Sequence, residues 1–271
     1  MNLEEIKSGI PAALLERIDS IECNVSGANG KIAVFDLDNT LLEGDVGDAV
    51  FVQLKIEEKK APLKVNGEEI PLTWQEYVGL LREKGKEVAY RRVITALAGT
   101  PVKTVEEITK KVMSLETPFL EAEDVKVPVP RPNKIMVALV EYLRSLDYDI
   151  YVISASNHYS VLYVAGECFG IPASNVHGMK PVVVDYNGKQ KVFGGEIEEP
   201  VTVVEGKAQA YREMVGDTPP LISAGDSPTD IRVLNLVDPQ GICIWVGKEQ
   251  EPFNRIKEEL DHPDTAFFLV R

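Results

Sequence analysis

The chain has 271 residues, of which 44% are hydrophobic and 27% are charged, an ordinary composition for a folded globular protein. Its net charge of −14 argues against nucleic acid or an anionic membrane as a partner, because no basic surplus exists to neutralise phosphates. No segment has the length of a membrane span, and the first residues lack the basic and apolar parts of a signal peptide, so we expect a cytoplasmic protein.

The three cysteines, Cys23, Cys168 and Cys243, are widely separated and show no C-x-x-C spacing. This argues against a disulfide framework or a zinc site and predicts free thiols in a reducing compartment.

After a short predicted helix from Pro11 to Ile21, two carboxylates follow the first strand. The residues of Ile32–Phe35 are apolar, which predicts a strand buried on both faces. Asp36 and Asp38 come where this strand should end, and open α/β sheets place their active sites beyond the carboxyl ends of strands. Adjacent carboxylates repel unless a cation lies between them, and Mg²⁺ is the usual ion for oxygen ligands. Capping of a turn or a helix explains an isolated pair equally well, so the choice depends on residues further along.

The stretch from about Gly44 to Val127 is predicted to be mostly helical. We expect helices over Val46–Lys60, from the capping box of Thr73 and Glu76, over Lys86–Ala98, and from a second capping box at Thr104 and Glu107. Residues 63–72, with Asn66-Gly67 at their centre, fit a hairpin or a loop. The proline-spaced stretch 127–132 predicts a stiff connector.

Beyond the connector, helices and strands alternate. Helices are expected at 132–146, 159–169, 206–215, 227–234 and 252–260, with strands at 150–153, 175–178, 221–224, 241–246 and 266–270. Residues 182–193 predict a β-hairpin. Right-handed crossovers would assemble the strands into one parallel sheet, so the predicted fold class is α/β.

Further polar residues occur at the carboxyl ends of the predicted strands or at helix starts. They are Ser154, Lys207, Asp226 and Asp230. Each has an ordinary explanation on its own, since serine and aspartate are favoured caps and most lysines are solvated.

Their order, D-x-D-x-T, then Ser, Lys and G-D-x-x-x-D, resembles the haloacid dehalogenase superfamily of aspartate-nucleophile phosphatases. The resemblance extends from Ile32 to Val246. It implies a Rossmann-like core formed by residues 1–43 and 128–271, with residues 44–127 as an inserted helical cap domain.

The resemblance also implies the chemistry. Asp36 would be the nucleophile that forms an aspartyl-phosphate, and Asp38 the general acid and base. Mg²⁺ would be held by the Asp36 carboxylate, the Asp38 backbone carbonyl and the Asp226 carboxylate. By the same resemblance, phosphoryl oxygens would be bound by Thr40, Ser154 and Lys207, and Asp230 would orient a metal-bound water or the Lys207 ammonium.

The presence of Asp38 argues against C–halogen hydrolysis, since dehalogenases lack the second aspartate. The absence of a D-K-T-G sequence and of membrane spans argues against P-type pumps. A cap large enough to cover the site favours a small soluble phosphomonoester as the substrate.

Within the superfamily the cap resembles that of phosphoserine phosphatases, with phosphorylcholine phosphatases as near relatives. An acidic residue nine positions after the nucleophile meets the substrate ammonium in those enzymes, which here is Asp45. Arg92, followed by Val93, matches their carboxylate-binding arginine. Thr229 departs from their usual G-D-x-x-N-D sequence. Asp45 is equally suited to cap a helix, and Arg92 to be a surface charge.

The aromatic residues Trp74, Tyr77 and Tyr90 would suit a quaternary ammonium or the protein core. His158 and His177 are interpreted as structural residues, because Mg²⁺ prefers oxygen. Two alternatives to a phosphatase are a phosphotransferase or phosphomutase, and a phosphate-binding protein without catalysis.

Overall fold

The computed structural model describes residues 2–24, 30–60, 72–122, 125–186, 188–247, 250–261 and 265–270. The helices are α1 (Leu3–Ser8), α2 (Ala12–Asn24), α3 (Val46–Lys60), α4 (Trp74–Glu83), α5 (Lys86–Ala96), α6 (Val102–Met113), α7 (Lys134–Ser145), α8 (His158–Phe169), α9 (Glu205–Val215), α10 (Ile231–Leu234) and α11 (Gln250–Glu258). The strands are β1 (Ile32–Phe35), β2 (Leu42–Glu43), β3 (Phe119–Ala122), β4 (Val125–Pro128), β5 (Arg131–Pro132), β6 (Asp149–Asn157), β7 (Val176–Met179), β8 (Pro181–Tyr186), β9 (Gln190–Ile197), β10 (Ile222–Gly225), β11 (Ile242–Val246) and β12 (Ala266–Val270).

A six-stranded parallel sheet forms the centre of the fold, in the order β12-β11-β10-β1-β6-β7. The strand β1 lies between β10 and β6, and all four of its residues are buried. Both faces of the sheet are covered, as expected for strands joined by helical crossovers. The predicted α/β parallel-sheet fold is confirmed. Within the described ranges, no helix is both long and apolar enough to cross a bilayer.

The two chain passages that bound residues 44–127, called here the inserted segment, lie side by side. Strand β2 pairs with β5 in antiparallel orientation, with Leu42 opposite Pro132 and Glu43 opposite Arg131. Strand β4 pairs with β3. The proline-spaced stretch, predicted as a stiff connector, is therefore paired along part of its length, which the sequence did not predict. Prolines are tolerated here because they lie in short two-stranded ribbons, where a missing backbone donor costs little.

The start of α4 agrees with the sequence-based prediction, whereas the start of α6 does not. At α4, Thr73 Oγ1 accepts from the Glu76 backbone N–H at 3.2 Å and the Glu76 carboxylate accepts from Thr73 N–H at 2.7 Å, which is the predicted capping box. The capping box predicted at Thr104 is wrong. The N-cap of α6 is Pro101, three residues earlier, and its carbonyl accepts from the Thr104 N–H at 3.0 Å. The stretch around Asn66-Gly67 lies outside the described residues.

The predicted hairpin is present as β8 and β9, although Asn187 in its turn is outside the described ranges. Strand β9 packs against the inserted segment. The Phe193 N–H donates to the Thr100 carbonyl at 3.1 Å, and Pro101 forms a bridge with Val192. The hairpin therefore links the sheet domain to the inserted segment at a point remote from β2 and β5.

Candidate active site

Asp36 and Asp226 follow neighbouring strands. The Asp36 N–H donates to the Ala224 carbonyl at 2.9 Å, which continues the pairing of β1 with β10 beyond Phe35. Because parallel strands end at the same edge of the sheet, the two carboxylates extend into one crevice. The pairing of β1 with β10 thus brings two predicted site residues, Asp36 and Asp226, together.

Lys207 lies at the centre of this acidic group. Its ammonium is 2.6 Å from Asp36 Oδ1 and 2.6 Å from Asp230 Oδ1, and the side chain is buried. Burial opposes its charge, but the Asp230 and Asp36 carboxylates outweigh burial and raise the pKa of Lys207 above its ordinary value. Lys207 is therefore a fixed cation beside the predicted nucleophile.

Asp230 is held in place from both ends of its carboxylate. While Oδ1 binds Lys207, Oδ2 accepts from the backbone N–H groups of Asp226 at 3.2 Å and Ser227 at 3.1 Å. Gly225 makes this possible, because a Cβ atom at that position would lie 2.5 Å from Asp230 Cβ. Of the two contacts considered for Asp230, the structure contains the one with Lys207.

Three carboxylates in this crevice suit a hard divalent cation. Oxygen atoms of Asp36, Asp226 and Asp230 lie within 4.8 Å of one another. Burial, and then the nearby Asp36 and Asp230, raise the pKa of Asp226 to about 9. Burial is also the main cause that raises the pKa of Asp36 to about 7, against the pull of Lys207. A cation bound by these oxygens would relieve the repulsion, so the donor set fits Mg²⁺.

Asp38 follows Asp36 by two residues, and its carboxylate is surrounded by hydrogen-bond donors. Its Oδ1 accepts from the Val46 N–H at 2.7 Å, and its Oδ2 accepts from the hydroxyls of Ser154 at 2.9 Å and Ser156 at 2.8 Å. Burial and the charge of Asp45 raise the pKa of Asp38 to about 7, although these hydrogen bonds oppose the rise. A pKa near neutral pH suits a group that gives and takes protons.

Sequence reasoning missed Ser156. It lies two residues after Ser154 near the end of β6, and alternate residues of a strand point to the same face. The S-x-S spacing was the available signal for a second hydroxyl on Asp38.

A cavity of about 790 Å³, partly open to solvent, separates this crevice from the inserted segment. Its lining includes Asp36, Asp38, Asp45, Asp48, Phe51, Tyr77, Lys86, Tyr90, Val93, Ile94, Leu97, Ser156, Lys207, Asp226 and Thr229. The carboxylates and Lys207 form one wall, and apolar and aromatic side chains of α3, α4 and α5 form much of the other.

Two predicted phosphate-binding residues are outside the cavity wall. Thr40 and Ser154 are fully buried and do not line the cavity, whereas Lys207 does. The Ser154 hydroxyl donates to Asp38. The Thr40 hydroxyl has no hydrogen-bond partner among the described residues. Their assignment to the phosphoryl group stays a prediction.

Asp45 lines the cavity and also caps α3. Its Oδ1 accepts from the Asp48 N–H at 2.9 Å, so the two suggested roles coexist. Burial, and next the charge of Asp48, raise the pKa of Asp45 to about 7. Asp48 also lines the cavity and was not expected; burial raises its pKa to about 6, opposed by a hydrogen bond from Tyr77.

Arg92 does not line the cavity. The face of α5 that does so carries Lys86, Tyr90, Val93 and Ile94, which recur every three or four residues. Arg92 lies on another face, where its charge acts on Glu76. The structure therefore does not bring Arg92 to the site with the other predicted residues.

The aromatic residues of α4 and α5 divide between the core and the cavity. Trp74 packs against Phe51 and Tyr77, with ring centroids 6.2 Å and 5.3 Å away, and does not line the cavity. Tyr77, Tyr90 and Phe51 do line it.

The two histidines lie against each other, outside the cavity lining. The rings of His158 and His177 are 5.9 Å apart, and His158 Nδ1 accepts from the Gly178 N–H at 3.1 Å. Burial lowers the pKa of His158 to about 3 and that of His177 to about 4, so both are neutral at physiological pH.

Comparison with known proteins gives one family and a set of similar folds. The sequence model of haloacid dehalogenase-like hydrolases matches residues 33–235. No curated protein matches the chain significantly. A solved phosphoserine phosphatase, a phospho-aspartyl intermediate analogue, has a TM-score of 0.54 and 16% identity, over 90% of this chain and 94% of its own.

Two other solved structures are similar to the same degree. A protein of unknown function from Bordetella pertussis Tohama I has a TM-score of 0.62 and 16% identity, over 89% of this chain and 99% of its own. A substrate-bound phosphoserine phosphatase has a TM-score of 0.52 and 15% identity, over 88% and 92% of the two chains. At these identities the likeness concerns the fold.

Proposed function

Because the chain belongs to the haloacid dehalogenase-like hydrolase family, we propose that it is a Mg²⁺-dependent phosphatase of small phosphomonoesters. The observation that carries the proposal is the buried Lys207 ammonium between Asp36 and Asp230, at 2.6 Å from each, at the floor of a cavity. Such a cation beside a nucleophilic carboxylate is what a phosphoryl group requires. The likeness to phosphoserine phosphatases in fold supports the same conclusion.

The reaction has two displacement steps. An Asp36 carboxylate oxygen attacks phosphorus, the bond from phosphorus to the ester oxygen breaks, and Asp38 gives its proton to the departing alkoxide. Asp38 then takes a proton from a water molecule, whose oxygen attacks phosphorus, so that inorganic phosphate leaves and Asp36 is regenerated. The raised pKa of Asp38, about 7, suits both proton transfers.

Asp36, Asp226 and the backbone carbonyl of Asp38 would hold the metal ion. When bound, Mg²⁺ supplies positive charge that neutralises the phosphoryl oxygens. Lys207 adds a fixed positive charge, and Asp230 keeps Lys207 in position. Thr40 and Ser154 complete the proposed phosphate site, which requires their hydroxyls to turn toward the substrate.

The cavity wall favours a leaving group with a cationic part. Asp45 and Asp48 provide negative charge, and Phe51, Tyr77 and Tyr90 provide apolar and aromatic surface next to it. A phosphorylated amine or amino acid has the matching chemistry, because an ammonium is attracted by carboxylates and by aromatic faces. In this proposal residues 44–127 act as a cap that covers the substrate.

The direct test is hydrolysis of p-nitrophenyl phosphate by the purified protein. We expect release of inorganic phosphate with water as the only acceptor, dependent on Mg²⁺ and abolished by a chelator. Asp36→Asn should remove activity, whereas Lys126→Gln, a change at an exposed position of strand β4, should not. Undiminished turnover in excess chelator would contradict the metal requirement, and consumption of substrate only with an added acceptor would indicate a phosphotransferase.

A further inference from the structure

More acidic than basic residues line the cavity. They are the five carboxylates Asp36, Asp38, Asp45, Asp48 and Asp226 and the two lysines Lys86 and Lys207. A phosphomonoester adds a charge of about −1.5 to −2 at neutral pH. An anion of this charge needs positively charged groups to bind it, and Lys207 provides only one positive charge.

Lys207 is already engaged, since its ammonium lies 2.6 Å from both Asp36 and Asp230. Lys86 is different. Among the described residues, no carboxylate lies within ion-pair distance of its ammonium, and its side chain is exposed to the solvent that fills the cavity. Lys86 is therefore a cation with no carboxylate partner in the described part of the chain, and it lines the cavity that contains Asp36 and Lys207.

Lys86 belongs to the inserted segment and lines the cavity. It is the first residue of α5, directly after Gly85, and it lies on the same helix face as Tyr90 and Val93, which also line the cavity. It lines the same cavity as Asp36 and Asp226, the carboxylates that follow β1 and β10. Arg92, six residues further along, is on a face that does not line the cavity.

We propose that Lys86 binds the phosphoryl group of the substrate, with its ammonium donating to a phosphoryl oxygen from the start of α5 in the inserted segment. This inference rests on the proposed phosphatase function and adds a phosphate-binding residue to it. Lys86 recognises the group common to all phosphomonoesters rather than a part of the leaving group. It also makes a bond between the inserted segment and the core that exists only while a phosphoryl group is bound.

The test compares Lys86→Gln with Lys84→Gln. Lys84 is exposed at the end of α4, two residues from Lys86, and does not line the cavity, so both changes remove the same charge from the same turn. Neither p-nitrophenyl phosphate nor inorganic phosphate has another anionic group. We expect Lys86→Gln to raise the KM for the ester and the inhibition constant for phosphate by about tenfold each, the usual effect of losing a charge-assisted hydrogen bond. Lys84→Gln should change both by less than twofold, and Lys86→Arg should restore most of the binding.

A second measurement needs no catalysis. In the wild-type protein with Mg²⁺, inorganic phosphate should slow acetylation of Lys86 by an amine-directed reagent, while Lys84 reacts at an unchanged rate, as followed by peptide mass spectrometry. Equal losses in the two glutamine variants would overturn the proposal, because they would indicate a general effect of surface charge. So would an effect of Lys86→Gln confined to substrates with a second anionic group, or acetylation of Lys86 that phosphate does not slow.

The failure of this inference is distinguishable from the failure of the proposed function. If the wild-type protein hydrolyses p-nitrophenyl phosphate and Lys86→Gln leaves KM unchanged, the phosphatase proposal is kept and the proposed role of Lys86 is refuted. If no ester is hydrolysed, the phosphatase proposal falls, and protection of Lys86 by phosphate decides whether this residue contacts a bound phosphate.

Discussion

At the scale of single residues, Asp38 connects the two parts of the molecule. Its carboxylate accepts one hydrogen bond from Val46, at the start of the inserted segment, and two from serines at the end of β6. Its position therefore depends on the sheet and on α3 together. Its neighbour Asp36 faces Lys207 instead, so the structure gives the two carboxylates different surroundings, as the proposed difference in role requires.

Replacement of Asp38 by Asn should separate the two chemical steps. p-Nitrophenolate is a good leaving group that hardly needs a proton, so formation of the phosphoryl-enzyme should survive. Its hydrolysis still needs the base and should slow by about 10²–10⁴-fold. We expect a burst of nitrophenol close to one per active site, followed by a slow phase, in rapid-mixing absorbance measurements.

An alkyl phosphate is the control substrate for this variant. Its leaving group needs the proton from Asp38, so it should give no burst. Steady turnover of p-nitrophenyl phosphate by Asp38→Asn near the wild-type rate would show that Asp38 is not the acid and base.

At the scale of elements, the rotation of a helix decides which of its residues meets the substrate. The start of α3 carries Asp45 and Asp48 into the cavity, and α5 carries Lys86 and Tyr90 into it, but α5 directs Arg92 elsewhere. A match of residue type in the sequence does not determine this rotation. The packing of α5 on α4 and on β9 determines it.

The variants Asp45→Asn and Arg92→Ala should therefore behave differently. Asparagine still accepts from the Asp48 N–H as a helix cap, so Asp45→Asn removes only the charge. We expect it to raise the KM for a phosphorylated amine such as phosphoserine by about tenfold, the effect of one charge-assisted contact, with little change for p-nitrophenyl phosphate. Arg92→Ala should change neither KM by more than about twofold, since single surface changes have small effects. A selective loss on phosphoserine in Arg92→Ala would contradict this view of α5.

At the scale of the whole molecule, the acidic crevice lowers stability, and a bound cation would offset this cost. The pKa of Asp226 is about 9 in the folded chain, against an ordinary value of 3.8. The folded state thus holds a proton that the unfolded state loses, and stability falls as the pH rises from the ordinary value through 9. Between pH 7 and 9 the histidines do not contribute, because their lowered pKa values keep them neutral in that range.

We expect the melting temperature of the metal-free protein to fall from pH 7 to pH 9. Asp226→Asn cannot lose this proton, so its melting temperature should fall less and should exceed that of the wild type at pH 9. Mg²⁺ should stabilise the wild type at pH 9 by mass action, and the variant much less. Thermal melts followed by circular dichroism, with chelator and with Mg²⁺, measure these differences. Equal pH slopes for the two proteins would contradict the raised pKa of Asp226.

The sequence by itself determined the sheet and the core of the site. A run of apolar residues ending in D-x-D predicts a buried strand with its carboxylates at the end, and strands that pair in parallel bring their ends together. The order of the motifs along the chain, through its resemblance to the haloacid dehalogenase superfamily, predicted that Asp36, Lys207, Asp226 and Asp230 form one site, and the fold does bring them together. The capping box at Thr73 was also predictable, because it depends on two residues only three positions apart in the chain.

Only the tertiary structure decided which residues of the inserted segment face the crevice. Lys86 and Asp48 line the cavity and Arg92 does not, because the rotation of each helix is set by packing against distant parts of the chain, such as the hairpin of β8 and β9. The same reason explains the proline-spaced stretch. Its residues form strands because β2 and β3 lie beside them, and pairing between segments remote in sequence is not written in the local pattern of either one.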